Sequence, residues 1–211
     1  MDRQSLLLIG AGGHANSCID VIEKQGEFSI TGLIGLPEEL KTQHFNYEVI
    51  GNDSDLEELA KIHKNALITL GQIETPDHRI KLYKQIFELG FELPTIVSPF
   101  GHTSNHSEIG SGTIVMHGAI INAGAKIGKN CIVNSNALVE HDSVVEDHCH
   151  ISTGAIINGG VQVREGSFIG SRSVLKEGIT VGRKCIIGMG QTVMKDLDDE
   201  SRFTSKRNDR E

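Results

Sequence analysis

An aliphatic residue recurs at every sixth position between Ile109 and Val193, fifteen times without an insertion. Neither an α-helix nor an ordinary strand has that period, since side chains repeat about every 3.6 residues in a helix and about every two in a strand. A fixed six-residue period is typical of a parallel β-helix, in which each short strand stacks on the equivalent strand of the preceding coil. The sequence therefore predicts a parallel β-helix for this part of the chain.

A second repeated position, four residues after each aliphatic one, supports the same fold. Eleven of its fourteen members are Thr, Ala, Ser or Cys. A narrow coil has room for one large inward side chain on each flat side and for only a small one near each bend, so volume selects this alternation. Cys131, Cys149 and Cys185 belong to this series, and we expect them in the core rather than in disulfides or at a metal.

The composition fits a thin solenoid joined to a small second domain. Of the 211 residues, 38% are hydrophobic, 4% are aromatic and none is Trp. A formal net charge of -8 without a basic run argues against a nucleic-acid partner. No apolar run approaches the about 18 residues of a transmembrane helix, and the first residues lack a secretory signal, so we expect a cytoplasmic protein without a membrane partner.

Residues 5 to 93 alternate between strand and helix patterns, which predicts a small α/β, Rossmann-like domain with a parallel sheet. A short apolar strand, Leu6 to Ile9, leads into a glycine-rich turn, and a helix follows. Further along, the pattern predicts strands over residues 30–34 and 65–70 and helices over residues 55–63 and 76–89. Backbone N–H groups at such a helix N-terminus can hold an anion, although a tight structural turn explains the glycines equally well. After the second strand, Gly35-Leu36-Pro37 replaces the acidic residue that usually binds a ribose hydroxyl, which argues against NAD.

The boundary between the two domains is predicted near Ser98-Pro99-Phe100-Gly101, which breaks the strand and helix pattern. We divide the chain into residues 1–93 for the α/β domain, 94–195 for the β-helix and 196–211 for a charged tail without apolar periodicity.

The chain as a whole resembles the bacterial sugar acetyltransferases of the PglD/NeuD type, over about residues 5 to 195. The segments that carry the resemblance are Leu-Ile-Gly-Ala-Gly-Gly-His-Ala from Leu8, the uninterrupted hexads, Asn134 and Val139-Glu140-His141-Asp142. It implies a left-handed β-helix that forms a homotrimer, with acetyl-CoA as co-substrate and no metal. It also implies an acceptor sugar of the nonulosonic-acid or amino-sugar-nucleotide kind, in bacterial surface-glycan biosynthesis.

His141 is the candidate catalytic residue, because histidine is best suited to take a proton from an amine or hydroxyl that attacks a thioester at neutral pH. It follows Glu140 and precedes Asp142 at a predicted outward bend. On the residues alone, an exposed bend histidine is the simpler interpretation. The resemblance instead makes His141 the general base and Asp142 the carboxylate that orients it.

The resemblance also assigns two binding sites. It places the acetyl donor at Asn134, His150, Ser152, Gly159, Ser171 and Gly188, and the sugar at Gly10, Gly12, Gly13 and His14. Backbone N–H groups at Gly159 and Gly160 would polarise the thioester carbonyl. For His150, a hydrogen-bonded interface histidine is an equal alternative.

Outward side chains predict that the solenoid assembles with copies of itself. The residue before each inward aliphatic points outward and stacks with its equivalents, and two of the three resulting ladders are apolar. An exposed apolar surface of that size predicts a homo-oligomer that buries both ladders. The first ladder is Ile114, Ile132, His150, Phe168 and Ile186, and the second is Ile120, Leu138, Ile156, Val174 and Thr192.

Two other functions stay open on the sequence. One is a non-catalytic trimeric scaffold or sensor in a sugar pathway. The other is a zinc-dependent β-helix lyase, since the chain has 10 histidines and three neutral imidazoles with a water form a sound catalytic zinc site.

Overall fold

The computed structural model describes residues 3–204. Its N-terminal part is a five-stranded sheet in the order β3-β4-β2-β1-β5, parallel except for the β3–β4 pair. The strands are β1 (Gln4–Ile9), β2 (Phe28–Ile34), β3 (Gln43–His44), β4 (Tyr47–Gly51) and β5 (Asn65–Ile68). The α-helices are α1 (Gly13–Gln25), α2 (Leu56–Leu59) and α3 (Asp77–Glu88), and short 3-10 turns cover Pro37–Glu39 and Asp53–Asp55.

The sequence pattern located β1, α1, β2, β5 and α3 and missed β3 and β4. β3 lies at the sheet edge with β4 beside it, and both are partly exposed, so they lack the apolar run that marks a buried parallel strand. The helix expected from residue 55 to residue 63 is shorter, because only Leu56–Leu59 is α-helical before turns take over.

The C-terminal part is a parallel β-helix with three flat faces, each built from two-residue strands stacked one coil apart. Face one contains Ile96–Val97, Ile114–Val115, Ile132–Val133, His150–Ile151, Phe168–Ile169, Ile186–Ile187 and Arg202–Phe203. Face two contains His102–Thr103, Ile120–Ile121, Leu138–Val139, Ile156–Ile157, Val174–Leu175 and Thr192–Val193. Face three contains Glu108–Ile109, Lys126–Ile127, Val144–Val145, Gln162–Val163 and Thr180–Val181.

The interior of the solenoid is filled as the two repeated positions predict. Every inward aliphatic residue from Val115 to Val193 is at most 4% exposed. Cys131, Cys149 and Cys185 are buried free thiols in the small-residue series, and burial raises the pKa of Cys131 to about 12. The large and small layers therefore interlock at every bend.

Pairing with the solenoid continues beyond residue 195, where the sequence analysis begins a charged tail. Leu197 bridges to Val181, and Arg202–Phe203 forms the last strand of face one beside Ile186–Ile187. Backbone hydrogen bonds need no apolar side-chain period, which is why the hexad pattern did not reveal this extension. The rest of the predicted tail, from residue 205, lies outside the described residues.

The N-terminal domain packs on face one of the solenoid. Ile114 and Ile132 are fully buried in the same apolar cluster as α1 residues such as Ile19 and Ile22. The expectation that neighbouring subunits bury this end of the first ladder is therefore wrong, because the chain covers it with its own helix. The second ladder, on face two, stays partly exposed, with Ile120 at 39%.

No helix of residues 3–204 has the length and apolar character needed to cross a membrane.

Candidate active site

His141 lies at the bend between face two and face three, two residues after the strand Leu138–Val139. The bend requires a positive φ, which Asp142 adopts at +58°. The His141 side chain is 67% exposed, and its Nδ1 lies 2.9 Å from Asp142 Oδ2. Because a carboxylate only accepts hydrogen bonds, Asp142 holds the proton on Nδ1 and leaves Nε2 free to accept one.

Glu140, the other acidic neighbour, is held by different groups. Its Oε2 accepts hydrogen bonds from Asn122 Nδ2 at 2.8 Å and from the backbone N–H of His141 at 3.3 Å. Glu140 therefore stabilises the backbone of the bend, whereas Asp142 orients the imidazole.

Gly159 occupies the position one coil after His141 and lies against the imidazole. A Cβ atom at Gly159 would be 2.6 Å from Nε2 of His141. The N–H of Gly159 has no hydrogen-bond partner among residues 3–204, whereas the N–H of Gly160 donates to the carbonyl of His141 at 3.0 Å. Gly159 can therefore stabilise an oxyanion, and the expectation that Gly160 shares this role is wrong because its N–H is already used.

An open cavity of about 660 Å³ surrounds this bend. Its walls include Glu140, His141, Asn158, Gly159 and Glu177. His141 and Gly159 thus line the same solvent-filled space, as the attack of an amine or hydroxyl on a thioester requires.

A second cavity, of about 340 Å³, opens at the other edge of face two. We call it the donor groove, because it brings together four of the residues predicted to bind the acetyl donor: His150, Ser152, Ser171 and Gly188. Phe168 forms part of its apolar lining, and Ser152 Oγ and Ser171 Oγ lie 2.9 Å apart. Gly159, also predicted for the donor, lies instead with His141.

His150 is 6% exposed and makes two polar contacts. Its Nδ1 lies 2.6 Å from the carbonyl oxygen of Gln72, and its Nε2 lies 3.2 Å from Nδ2 of Asn134. Asn134 thus reaches the predicted donor site by contacting His150. Burial lowers the pKa of His150 to about 4, so the ring is neutral at physiological pH.

A third cavity, of about 280 Å³, lies at the carboxyl ends of β1 and β2, where ligands bind in open α/β sheets. We call it the acceptor cleft. It is lined by Gly10 and Gly12, and by two acids that the sequence analysis did not select, Glu39 and Asp53. Glu39 follows β2 in a turn whose signal was Pro37, while Asp53 follows β4, the strand that the pattern missed.

Gly13 and His14 do not line the acceptor cleft. His14 instead faces the junction between the two domains, with its ring centroid 6.5 Å from that of His150. Burial lowers the pKa of His14 to about 3, and its Nε2 has no hydrogen-bond partner among the described residues. The glycine-rich segment therefore lines the acceptor cleft with Gly10 and Gly12, and its histidine, His14, packs at the junction between the domains.

Within residues 3–204, no three His, Cys, Asp or Glu side chains are grouped so that they could hold a metal ion. Two histidines of the solenoid have other partners. His117 contacts Asp20 and Ser98, and His148 contacts Asn130.

Known families match most of the chain. Residues 5–86 match the PglD N-terminal domain, residues 106–141 match the bacterial transferase hexapeptide, and residues 160–195 match the hexapeptide repeat of succinyl-transferase. None of the curated proteins matches the chain.

Solved structures extend this similarity over nearly the whole chain. A mutant perosamine N-acetyltransferase from Caulobacter crescentus, in complex with CoA and GDP-perosamine, is 28% identical with a TM-score of 0.90, and the match covers 95% of this chain and 93% of that one. The acetyltransferase domain of PglB from Neisseria gonorrhoeae, in complex with acetyl coenzyme A, is 27% identical with a TM-score of 0.88, covering 97% of each. WeeI from Acinetobacter baumannii, at 21% identity and a TM-score of 0.84 over 97% and 98%, shares the fold.

These similarities confirm the predicted fold class, an α/β Rossmann-like domain followed by a left-handed β-helix. A PglD N-terminal domain and hexapeptide repeats are thus combined in the order that the sequence predicted, and over nearly its whole length the chain is similar to hexapeptide-repeat sugar acetyltransferases of the PglD/NeuD type.

Proposed function

We propose that this protein transfers the acetyl group of acetyl-CoA to the amine of a nucleotide-linked amino sugar, with His141 as general base. One observation carries the assignment of the base: the imidazole of His141, oriented by Asp142, packs against Gly159, whose N–H is unpaired among residues 3–204, beside an open cavity. A general base and an oxyanion donor on neighbouring coils are the two groups that direct acyl transfer requires.

The reaction follows from this geometry. The amine nitrogen attacks the thioester carbon, and Nε2 of His141 takes one of its protons. Negative charge develops on the carbonyl oxygen, where the Gly159 N–H can stabilise it. When the intermediate collapses, the carbon–sulfur bond breaks and the thiolate of CoA takes the proton from the imidazolium. The products are the N-acetyl sugar and CoA, and no covalent enzyme intermediate forms.

Residues 1–93 would hold the acceptor and residues 94–195 the donor. The perosamine N-acetyltransferase that resembles this chain was solved with GDP-perosamine, which supports a sugar nucleotide as substrate. The acceptor cleft offers the backbone N–H of Gly12 for the phosphates, and carboxylates from Glu39 and Asp53 for hydroxyl or N–H groups of the nucleoside, while the N–H of Gly10 is used by the carbonyl of Ile34.

A homotrimer built on face two would complete the site. The donor groove and the His141 bend lie at opposite edges of this face, so one chain alone presents the base and the groove apart. Leu138, Ile156 and Val174 form an apolar ladder on face two, between these two edges, and their side chains are only partly buried. Packing that ladder against a neighbouring subunit would bring the groove of one chain to the His141 of the next, and a closed ring of three uses every such face.

The experiment is a mass-spectrometric screen of amino-sugar nucleotides and nonulosonic acids with acetyl-CoA, followed by kinetics on the best acceptor. The His141→Asn variant should lose at least about 100-fold in kcat, the usual contribution of a general base. His106→Asn, at an exposed neighbouring bend, is the matched control and should retain full activity. Near-normal turnover in His141→Asn would exclude the proposed base, and a protein that does not bind acetyl-CoA in calorimetry would be a scaffold instead.

The assembly is tested on the same protein by light scattering after size exclusion. We expect three times the 22.9 kDa chain mass for the wild type and a smaller species for Leu138→Asp. A wild-type monomer with full activity would refute the shared site.

A further inference from the structure

The segment that joins β5 to α3 anchors the N-terminal domain on face one through Gln72. This side chain is 3% exposed, and its Nε2 donates to the carbonyls of His148 at 2.9 Å and Gly166 at 3.3 Å, which belong to two successive coils. The backbone carbonyl of the same residue accepts from Nδ1 of His150 at 2.6 Å. One residue of the N-terminal domain therefore holds both the solenoid backbone and the donor-groove histidine.

The hydrogen bonds around His150 define one tautomer. The backbone N–H of Ser135 donates to Oδ1 of Asn134 at 2.7 Å, so the amide of Asn134 must present its Nδ2 donor to His150. Nε2 of His150 then accepts, and the ring proton lies on Nδ1, where the Gln72 carbonyl requires it. The two sides of the ring, contacted by different domains, specify the same protonation state.

Arg79 fixes the position of this segment. Its guanidinium is 2% exposed and donates to the carbonyls of Ile68 and Leu70 at the end of β5 and to Oδ1 of Asn130 in the solenoid at 2.6 Å. No carboxylate of residues 3–204 forms an ion pair with it. The desolvation cost of a buried charge offsets most of what its hydrogen bonds to neutral oxygens contribute to stability. The main effect of Arg79 is therefore to fix the relative position of the groups that it contacts.

The segment also touches both ligand sites. Leu70 lines the acceptor cleft, while Ile73 and Glu74 line the donor groove. Gln72 lies between them in sequence. The groups that face the His150 ring from the surrounding elements are His14 on α1, the Arg79 charge on α3, and Phe168 on the next coil.

We propose that Gln72 and Arg79 are positioning residues, through which the N-terminal domain locks His150 in its neutral Nδ1–H tautomer and so shapes the donor groove. The proposal rests on the proposed function in that it takes the groove as the acetyl-CoA site. It assigns the N-terminal domain a part in donor binding besides its part in acceptor binding. In this state Nδ1–H is used by the Gln72 carbonyl and Nε2 by Asn134, so the ring offers no N–H to a ligand in the groove.

The test is ¹⁵N NMR of the full-length protein labelled at histidine, with His150 assigned through His150→Gln. In the wild type we expect the Nδ1–H tautomer, neutral down to pH 5. In Gln72→Ala and Arg79→Met, His150 should titrate closer to the ordinary value of 6.5 and populate the Nε2–H tautomer, and the KM for acetyl-CoA should rise about tenfold with a smaller change in kcat.

Lys184→Met is the matched control, since it breaks the exposed ion pair between the domains at Asp77 and touches neither Gln72 nor His150. It should change neither the tautomer nor the KM. An Nε2–H tautomer in the wild type, or an unchanged His150 in both folded variants, would overturn the proposal. If the two variants do not fold, the wild-type tautomer still decides it. The tautomer is read without acetyl-CoA, so failure of the acetyltransferase assignment would show separately, as absent donor binding in the wild type.

Discussion

Replacing Gly159 by Ala should disable the proposed active site at His141 without unfolding the protein. The added Cβ would lie 2.6 Å from Nε2 and 2.7 Å from Cε1 of His141, so the ring must retreat by about 0.8 Å to reach an ordinary contact of 3.4 Å. Because the His141 side chain is 67% exposed, it can swing away at little cost to the fold. A displacement of about 1 Å in a reacting group can lower the rate about 100-fold, and we expect that loss in kcat.

The bend itself tolerates a side chain, because the equivalent position one coil before His141 is Ala123. The free energy of unfolding of Gly159→Ala should therefore stay within about 0.5 kcal/mol of the wild type, as for an uncomplicated surface substitution. Gly110→Ala is the contrasting control, because its Cβ would meet the backbone of Gly128 at 2.6 Å, and it should lower the melting temperature clearly.

Steady-state kinetics and thermal melts on the two variants check these values, together with Gly159→Ala in a His141→Ala background. In that background the second substitution should cost no further activity, since the ring it displaces is gone. Wild-type turnover in Gly159→Ala, or a melting temperature as low as that of Gly110→Ala, would refute the reasoning.

Two further predictions concern buried titratable groups. The free energy of unfolding should fall as the pH drops from 6.5 towards 4. Burial lowers the folded-state pKa of His150 to about 4 and that of His14 to about 3, while the same side chains in the unfolded chain bind a proton near pH 6.5. Between these values His150 alone lowers the free energy of unfolding by up to about 1.4 kcal/mol per pH unit. Urea unfolding at pH 7 and pH 5 measures it, and equal stabilities would contradict it. Cys131 and Cys149 should resist alkylation in the native protein and react in urea, because burial raises their thiol pKa values; rapid native labelling by mass spectrometry would disprove the packed interior.

The geometry of the His141 bend was predictable because its parts repeat with the coil. His141 and Gly159 are eighteen residues apart, so any three-sided coil of six-residue sides stacks them in one ladder. Asp142 is the next residue and reaches the ring through a local turn. The hydrogen bond from Asn122 to Glu140 joins residues with the same eighteen-residue spacing. Local contacts and fixed registers of this kind can be derived from a single sequence.

The acceptor cleft was only half predictable. Gly10 and Gly12 have a recognisable signal, because a strand that ends in glycines before a helix forms an anion-binding turn. Glu39 and Asp53 carry no such signal, since each follows a different strand and they meet only when β4 pairs beside β2. In the usual dinucleotide-binding pattern, the acidic residue directly follows the second strand. Here the fold instead brings two acids, Glu39 and Asp53, from the ends of neighbouring strands into the cleft.

The sequence by itself determined the β-helix, its interior layers and the histidine that faces solvent at a bend, because a six-residue period allows only one way to bury its aliphatic side chains. The tertiary structure alone decided which outward ladder is covered by α1 and which histidine is bound by the N-terminal domain. The carbonyl of Gln72 meets His150 across 78 residues of chain. No periodicity relates the two, and only the packing of one domain on the other brings them together.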